Sequence, residues 1–365
     1  MFLNHGSFGA CPRPVFEVYQ RWQLELERQP VEFLGRRSDH LLNEARAGLG
    51  GYLHTDPDNL IFVMNATVGI NTIARSLNLQ PGDEILTTDH EYGAIDKTWA
   101  FICRKTGAQI ARHQVALPLT SAEAFVNDFW QLVTPRTRVI SISHITSPTA
   151  LILPVAEICR RARATGILTI IDGAHAPGQI PVDLSQLGAD FYSGNCHKWM
   201  CAPKGSGFLY ARPEHHKWVE PLVISHGWTD DSTFVSRNQW QGTRDIAAFL
   251  SVPAAIDFQE ANQWDSVRQF CHQLARETRQ HLADLSGLSS LSADSPEWFA
   301  QMVAVPLPEC DVEALKQRLY DEYCIEAPVF AWNGMNIIRV SFQAYNTRED
   351  MNRLLEALAR LLPLN

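Results

Sequence analysis

Leu168-Thr169-Ile170-Ile171-Asp172-Gly173-Ala174-His175 and Asn195-Cys196-His197-Lys198-Trp199 decide how this chain folds. The first stretch is an apolar, β-branched run that ends in an acid. The second closes another run, Asp190-Phe191-Tyr192-Ser193-Gly194, with a histidine–lysine pair, Lys198 standing 26 positions beyond Asp172. Both side chains reach one small ligand only if each ends a neighbouring strand of one sheet. The flanking sequence repeats the pattern, with short apolar runs at 59–64, 84–88, 109–115, 138–144, 167–172, 190–194 and 207–211. Amphipathic stretches lie between several of them. From Pro154 to Ala164, Val155, Ile158, Cys159 and Ala162 share one helical face, and Glu157, Arg160, Arg161 and Arg163 the other. Thr67 to Leu77 is a second helical pattern. This alternation predicts an α/β fold, a mainly parallel sheet flanked by helices, with ligands gathered at the carboxyl ends of its strands.

A chain of 365 residues is long for a single core. After residue 246 the pattern changes to a largely helical region and a Ser-rich connection (286–296). An apolar strand, a helix from Val312 to Tyr323, two strands around Asn333-Gly334 and a last helix follow. Thr347 is the expected N-cap of that last helix, with Asp350 favourable to its dipole. The expected division is an N-terminal segment near the active site (1–15), a large domain (16–249) and a smaller C-terminal α/β domain (250–365). The net charge of −9 argues against nucleic acid or an anionic membrane as partner. Eight scattered cysteines without a C-x-x-C fit reduced thiols. The first residues lack the basic start and apolar core of a signal peptide, and no apolar run reaches the ~20 residues of a membrane span. A cytoplasmic location is expected.

A strand-end carboxylate paired with a lysine amine suits pyridoxal 5'-phosphate (PLP). Its aldehyde takes one lysine as a Schiff base, and its pyridine nitrogen needs a buried carboxylate that keeps it protonated. Asn65-Ala66-Thr67 follows a strand and opens a helix, where backbone N–H groups and the Thr67 hydroxyl could grip phosphate. His175 could donate to the cofactor's phenolic oxygen, Asn195 and His197 to its phosphate. The polar turn Gln241-Gly242-Thr243-Arg244 is another place to meet phosphate, and His90 or Tyr92 could cover the ring. Other sites are excluded. The histidines at 90, 144, 175 and 197 lack metal-ligand spacing. Ala202-Pro203-Lys204-Gly205-Ser206-Gly207 lacks the P-loop order and reads as a turn returning a strand past the lysine, and no G-x-G-x-x-G follows the early strands.

These motifs, with Leu3-Asn4-His5-Gly6-Ser7-Phe8-Gly9, SHITSPT (143–149) and IRVSFQAYNT (338–347), run in order along nearly the whole chain. The chain resembles the class V aminotransferase group of fold-type I PLP-dependent enzymes, most closely its isopenicillin N epimerase-like branch. The resemblance implies Lys198 as the Schiff-base lysine, Asp172 as the pyridine partner and His175 as the donor to the phenolic oxygen. It gives Ala66, Thr67, Asn195 and His197 to the phosphate, joined by Gly242 and Thr243 from the other subunit of a homodimer. It places Ser147 at the cofactor's edge and Arg339 on the substrate's α-carboxylate, with Asn4 and His5 at the substrate side. Cysteine desulfurases of this group carry an R-x-G motif and a nucleophilic cysteine upstream of that arginine. The corresponding Ile325–Trp332 segment has neither, and Cys324 reads as a small buried residue. Ser147 stands in place of asparagine, and Ala150 where glycine is usual. The expected reaction is at the α-carbon of an amino acid: Lys198 moves the proton, and epimerisation needs a second acid, Tyr92 or His90. C–S lyase or aminotransferase chemistry is the alternative, and a PLP-binding module without turnover the remaining one.

Overall fold

In the computed structural model, which describes residues 1–362, all seven apolar runs form strands. They are β1 (Leu60–Val63), β2 (Glu84–Thr88), β3 (Gln109–His113), β4 (Thr137–Ser143), β5 (Leu168–Gly173), β6 (Phe191–Asn195) and β7 (Gly207–Ala211). One sheet holds them in the order β1-β7-β6-β5-β4-β2-β3; β7 is antiparallel to both neighbours and every other pairing is parallel. The glycine-rich stretch before β7 is the turn that reverses the chain beside Lys198, as expected.

Alternate residues of these strands feed two apolar layers, because successive side chains point to opposite faces. Ile171, Tyr192 and Phe208 join one layer, whereas Ile170, Phe191 and Leu209 join the other. Val155–Thr165 covers the first face; Ala66–Ser76 and Gly93–Thr106 cover the second. Burial on both faces explains why the runs are continuously apolar instead of alternating.

A second, antiparallel sheet has the order β8-β10-β9, from β8 (Met302–Leu307), β9 (Val329–Trp332) and β10 (Met335–Ser341). The hairpin between β9 and β10 turns through Asn333 and Gly334, both at positive φ, as a tight hairpin requires. The last helix, Arg348–Leu361, begins with a reciprocal capping box between Thr347 and Asp350.

The N-terminal residues tie the small sheet to the lysine loop. The Leu3 N–H donates to the Glu326 carbonyl, and the Leu3 carbonyl accepts from Ser341 N–H, both at 2.9 Å. Gly9, at φ +70°, then passes so close to the loop that an added Cβ would lie 2.0 Å from the His197 carbonyl oxygen. Gly9→Ala therefore combines backbone strain with a clash against main chain. It is expected to destabilise the protein by about 2 kcal/mol or more in a denaturant titration, with weaker cofactor retention; unchanged stability would contradict this packing.

Candidate active site

The carboxyl ends of β4, β5 and β6, the N-terminus of helix Ala66–Ser76 and the β6–β7 loop enclose a cavity of about 380 Å³. Asp172, Lys198, His175, Asn195, His197, Ala66, Thr67, Tyr92 and Ser147 all line it. Parallel pairing brings them together: Ser143 is level with Asp172 across β4 and β5, and Gly173 with Gly194 across β5 and β6.

Asp172 is 4% exposed. One carboxyl oxygen accepts the Ala174 N–H at 2.9 Å, and burial pushes its pKa up. Lys198 is pushed the other way, first by burial and then by the Arg339 charge, with Asp172 opposing. Its amine lies 3.1 Å from His175 Nε2, while its carbonyl is held by His5 Nε2 at 3.0 Å. A buried lysine held towards its uncharged form is a nucleophile and a base near neutrality.

The two cavity histidines present opposite faces. Burial holds His175 well below the ordinary imidazole pKa, and His197 down to about 4, so both rings are neutral. His197 Nδ1 donates to the Ser206 carbonyl at 2.8 Å, leaving Nε2 as an acceptor. Donation from His197 to a phosphate would therefore require the ring to take up a proton. At the helix start, Asn65 Oδ1 caps the Val68 N–H and Asn195 Oδ1 accepts the Ala66 N–H at 2.8 Å. Among the described residues no acceptor meets the Thr67 N–H, which remains free for an anion.

Arg339 is 7% exposed and has no carboxylate partner among the described residues. Its guanidinium donates to the Ser147 carbonyl (2.6 Å), the Ser147 hydroxyl (3.1 Å) and the Ser7 hydroxyl (3.1 Å); Nε is buried without a partner. Burial lowers its pKa to about 10, which leaves it cationic at neutral pH. A buried cation with an orphaned donor fits an incoming carboxylate. Ser147 thus serves the arginine, and the loop it opens holds Ala150 at φ +57°, the left-handed region that glycine fills more easily.

A carboxylate with a free oxygen, a lysine amine and an open helix N-terminus around one cavity fit the pyridine nitrogen, aldehyde and phosphate of pyridoxal 5'-phosphate. The sequence model of the family Aminotransferase class-V matches residues 12–354. This chain belongs to the class V aminotransferase family.

Isopenicillin N epimerase of Streptomyces clavuligerus is 36% identical over 98% of this chain and 94% of its own. L-cysteine desulfhydrase of Arabidopsis thaliana is 28% identical over 99% and 87%. Among solved structures, the cystine C-S lyase C-DES in complex with cysteine persulfide superposes with a TM-score of 0.87 at 24% identity, covering 99% of this chain and 98% of its own. The fold is that of fold-type I, and this class V protein is a PLP-dependent enzyme.

Several expected site residues lie elsewhere in this class V chain. His90 does not line the cavity: its Nδ1 meets Asp89 at 2.8 Å and its ring packs edge-on to Trp332. Tyr92, half-exposed, is the ring that faces inward. His5 is fully buried beneath the lysine backbone, and Asn4 is bonded to Ser7 and Glu326. Neither lines the cavity: His5 supports the Lys198 backbone, and Asn4 supports Ser7, a partner of Arg339. Gly242 and Thr243 are outside this cavity. Cys324 is exposed, not buried, and caps helix Val312–Tyr323 at φ +53°.

Glu91 was not legible as a site residue. It is buried, accepts from the Thr88 and Ser143 hydroxyls (both 2.6 Å), and lies close enough to Asp172 to feel its charge. Burial lifts its pKa to about 7. The native state therefore binds this proton more tightly than the unfolded chain. Its stability contribution is full below the ordinary carboxylate range and is lost as pH rises through about 7. Glu91→Gln, neutral throughout, is expected to gain in Tm relative to wild type between pH 5 and pH 8 in the cofactor-free protein. A pH-independent difference would show an unperturbed carboxyl.

Proposed function

We propose that this enzyme inverts the α-carbon of an amino acid, as an epimerase or racemase. The observation that carries the reading is that two proton-handling groups, Lys198 and the Tyr92 phenol, line one cavity beside the unpaired Arg339 guanidinium. Pyridoxal phosphate, when bound, supplies the electron sink that makes the Cα proton acidic. The protein's residues do the rest. Arg339, steadied by Ser147 and Ser7, fixes the substrate carboxylate and so the orientation of the Cα–H bond. Lys198 Nζ removes the proton, and the Tyr92 hydroxyl returns one. Asp172 holds the proton on the pyridine nitrogen. The Thr67 N–H and hydroxyl and the Asn195 amide would hold the phosphate at the helix start that Ala66 opens, His197 would join them on taking up a proton, and the His175 imidazole would meet the phenolic oxygen.

The substrate side chain is assigned to a second, adjoining cavity of about 680 Å³, which shares Tyr92 and Ser147 with the first. Phe330, Trp332, Pro148 and Pro328 give it apolar walls, and Arg112, already paired with Asp96, a polar end. That composition favours an extended side chain over a small one. The proposed assembly is a cytoplasmic homodimer in which Gly242 and Thr243 complete the phosphate site of the partner subunit. Supporting this, both lie away from their own cavity, where the Thr67 N–H is open.

C–S lyase chemistry is the second reading, favoured by the likeness to L-cysteine desulfhydrase of Arabidopsis thaliana. Persulfide transfer has less support: no cysteine of the described residues lines the cavity, and burial raises the Cys196 and Cys201 thiols far above the usual range.

Proton NMR of the PLP-loaded enzyme in D2O, with L-amino acids of short and long side chain and cysteine conjugates, separates these outcomes. Deuterium at Cα with growth of the D-enantiomer is expected. A keto acid formed without that enantiomer would replace epimerisation with lyase or aminotransferase chemistry. Arg339→Lys, which loses the planar two-pronged donor, is expected to raise KM about tenfold or more; an unchanged KM would remove Arg339 from the carboxylate.

A further inference from the structure

Trp199 follows the lysine and is fully buried, with its ring 5.0 Å from that of His5. Its indole Nε1 points at His175 Nδ1, 3.3 Å away. An indole N–H can donate and cannot accept, so Nδ1 of the neutral imidazole must carry the lone pair. The ring proton is then on Nε2, the atom that faces Lys198 Nζ at 3.1 Å. Burial keeps His175 neutral, so only the two tautomers compete. Among the described residues only Trp199 bonds Nδ1, and the neighbouring Gln179 donates to the His175 backbone carbonyl instead.

We propose that Trp199 is a positioning residue that fixes His175 as the Nε2–H tautomer, so that the site always offers a hydrogen-bond donor towards the Lys198 amine and the cofactor. The alternative tautomer would present a lone pair to the same place. It would accept from an ammonium, favouring a charged Lys198, and would repel an oxygen acceptor on the cofactor. Lys198 also faces Arg339 and Asp172, whose charges act in opposite directions, so the tautomer biases an amine already poised between its two forms. The contrast with His197 is instructive. There a carbonyl acceptor, Ser206, puts the proton on Nδ1 and leaves Nε2 bare. Two neutral histidines in one cavity, His175 buried and His197 half-buried, are thus set to opposite tautomers by the opposite hydrogen-bonding character of their outer partners.

The inference rests on Lys198 being the reactive amine, but its first test needs neither turnover nor cofactor. In 15N-histidine-labelled, cofactor-free protein, the His175 signals are assigned by their absence from His175→Gln, among the 13 histidines of the chain. Wild type is expected to show an unprotonated Nδ1 and a protonated Nε2. Trp199→Phe, which keeps an aromatic ring and removes the donor, is expected to shift the pair towards the other tautomer or a mixture. An Nε2–H tautomer that persists in Trp199→Phe overturns the proposal.

The second readout is PLP affinity of the cofactor-free protein in two backgrounds. Loss of one properly aimed hydrogen bond predicts about three- to tenfold weaker binding in Trp199→Phe. Glutamine has no tautomers, so the same change in a His175→Gln background is expected to matter less than twofold. Equal losses in both backgrounds would reduce Trp199 to a packing residue, whatever reaction the enzyme proves to catalyse.

Discussion

Burying the Lys198 amine next to the Arg339 guanidinium is the constraint on which the rest of the structure depends. Two cations enclosed with no salt-bridging carboxylate among the described residues would normally be expelled or neutralised. The protein solves each half differently. Lys198 is drawn towards the neutral amine, with a histidine N–H against it. Arg339 stays charged and is held by serine oxygens and one carbonyl, with Nε left without a partner, an arrangement that holds its direction without quenching its charge. The site is consequently short of negative charge, and the substrate carboxylate and the phosphate are the groups that fill that deficit.

The large sheet supplies the geometry for this arrangement. Parallel β4, β5 and β6 bring Ser143, Asp172 and Asn195 to one edge, and the reversed β7 brings the glycine-rich turn beside them. The N-terminal segment closes the site from the side of the small sheet: Ser7 reaches Arg339, His5 holds the lysine carbonyl, and Gly9 lies on the loop backbone. Residues 193 and 332 positions apart are thereby made to act as one unit.

Periodicity made the sheet readable, because strands buried on both faces are continuous apolar runs of limited length. The same logic located Asp172 and Lys198, since both terminate such runs. What the sequence could not convey is which way a turn residue points. His90 and Tyr92 are two positions apart in one turn, yet one packs on Trp332 and the other faces the cavity. Glu91 between them owes its perturbation to burial, which hydrogen bonds from the Thr88 and Ser143 hydroxyls, the second of them 52 positions away, only partly offset. Asn4 and His5 carry a motif of the family, but only folding shows that they act through Ser7 and the Lys198 backbone. Cys324 looked like a small core residue, whereas its left-handed cap position puts it at the surface.

The account stands or falls on Lys198 as the residue that carries the cofactor. Borohydride reduction of the PLP-loaded enzyme, followed by digestion and peptide mass mapping, fixes the pyridoxyl group to one side chain. The account predicts a single modified peptide with the added mass on Lys198. Modification of the nearby Lys204, or a mixture of surface lysines with Lys198 unmodified, would contradict it.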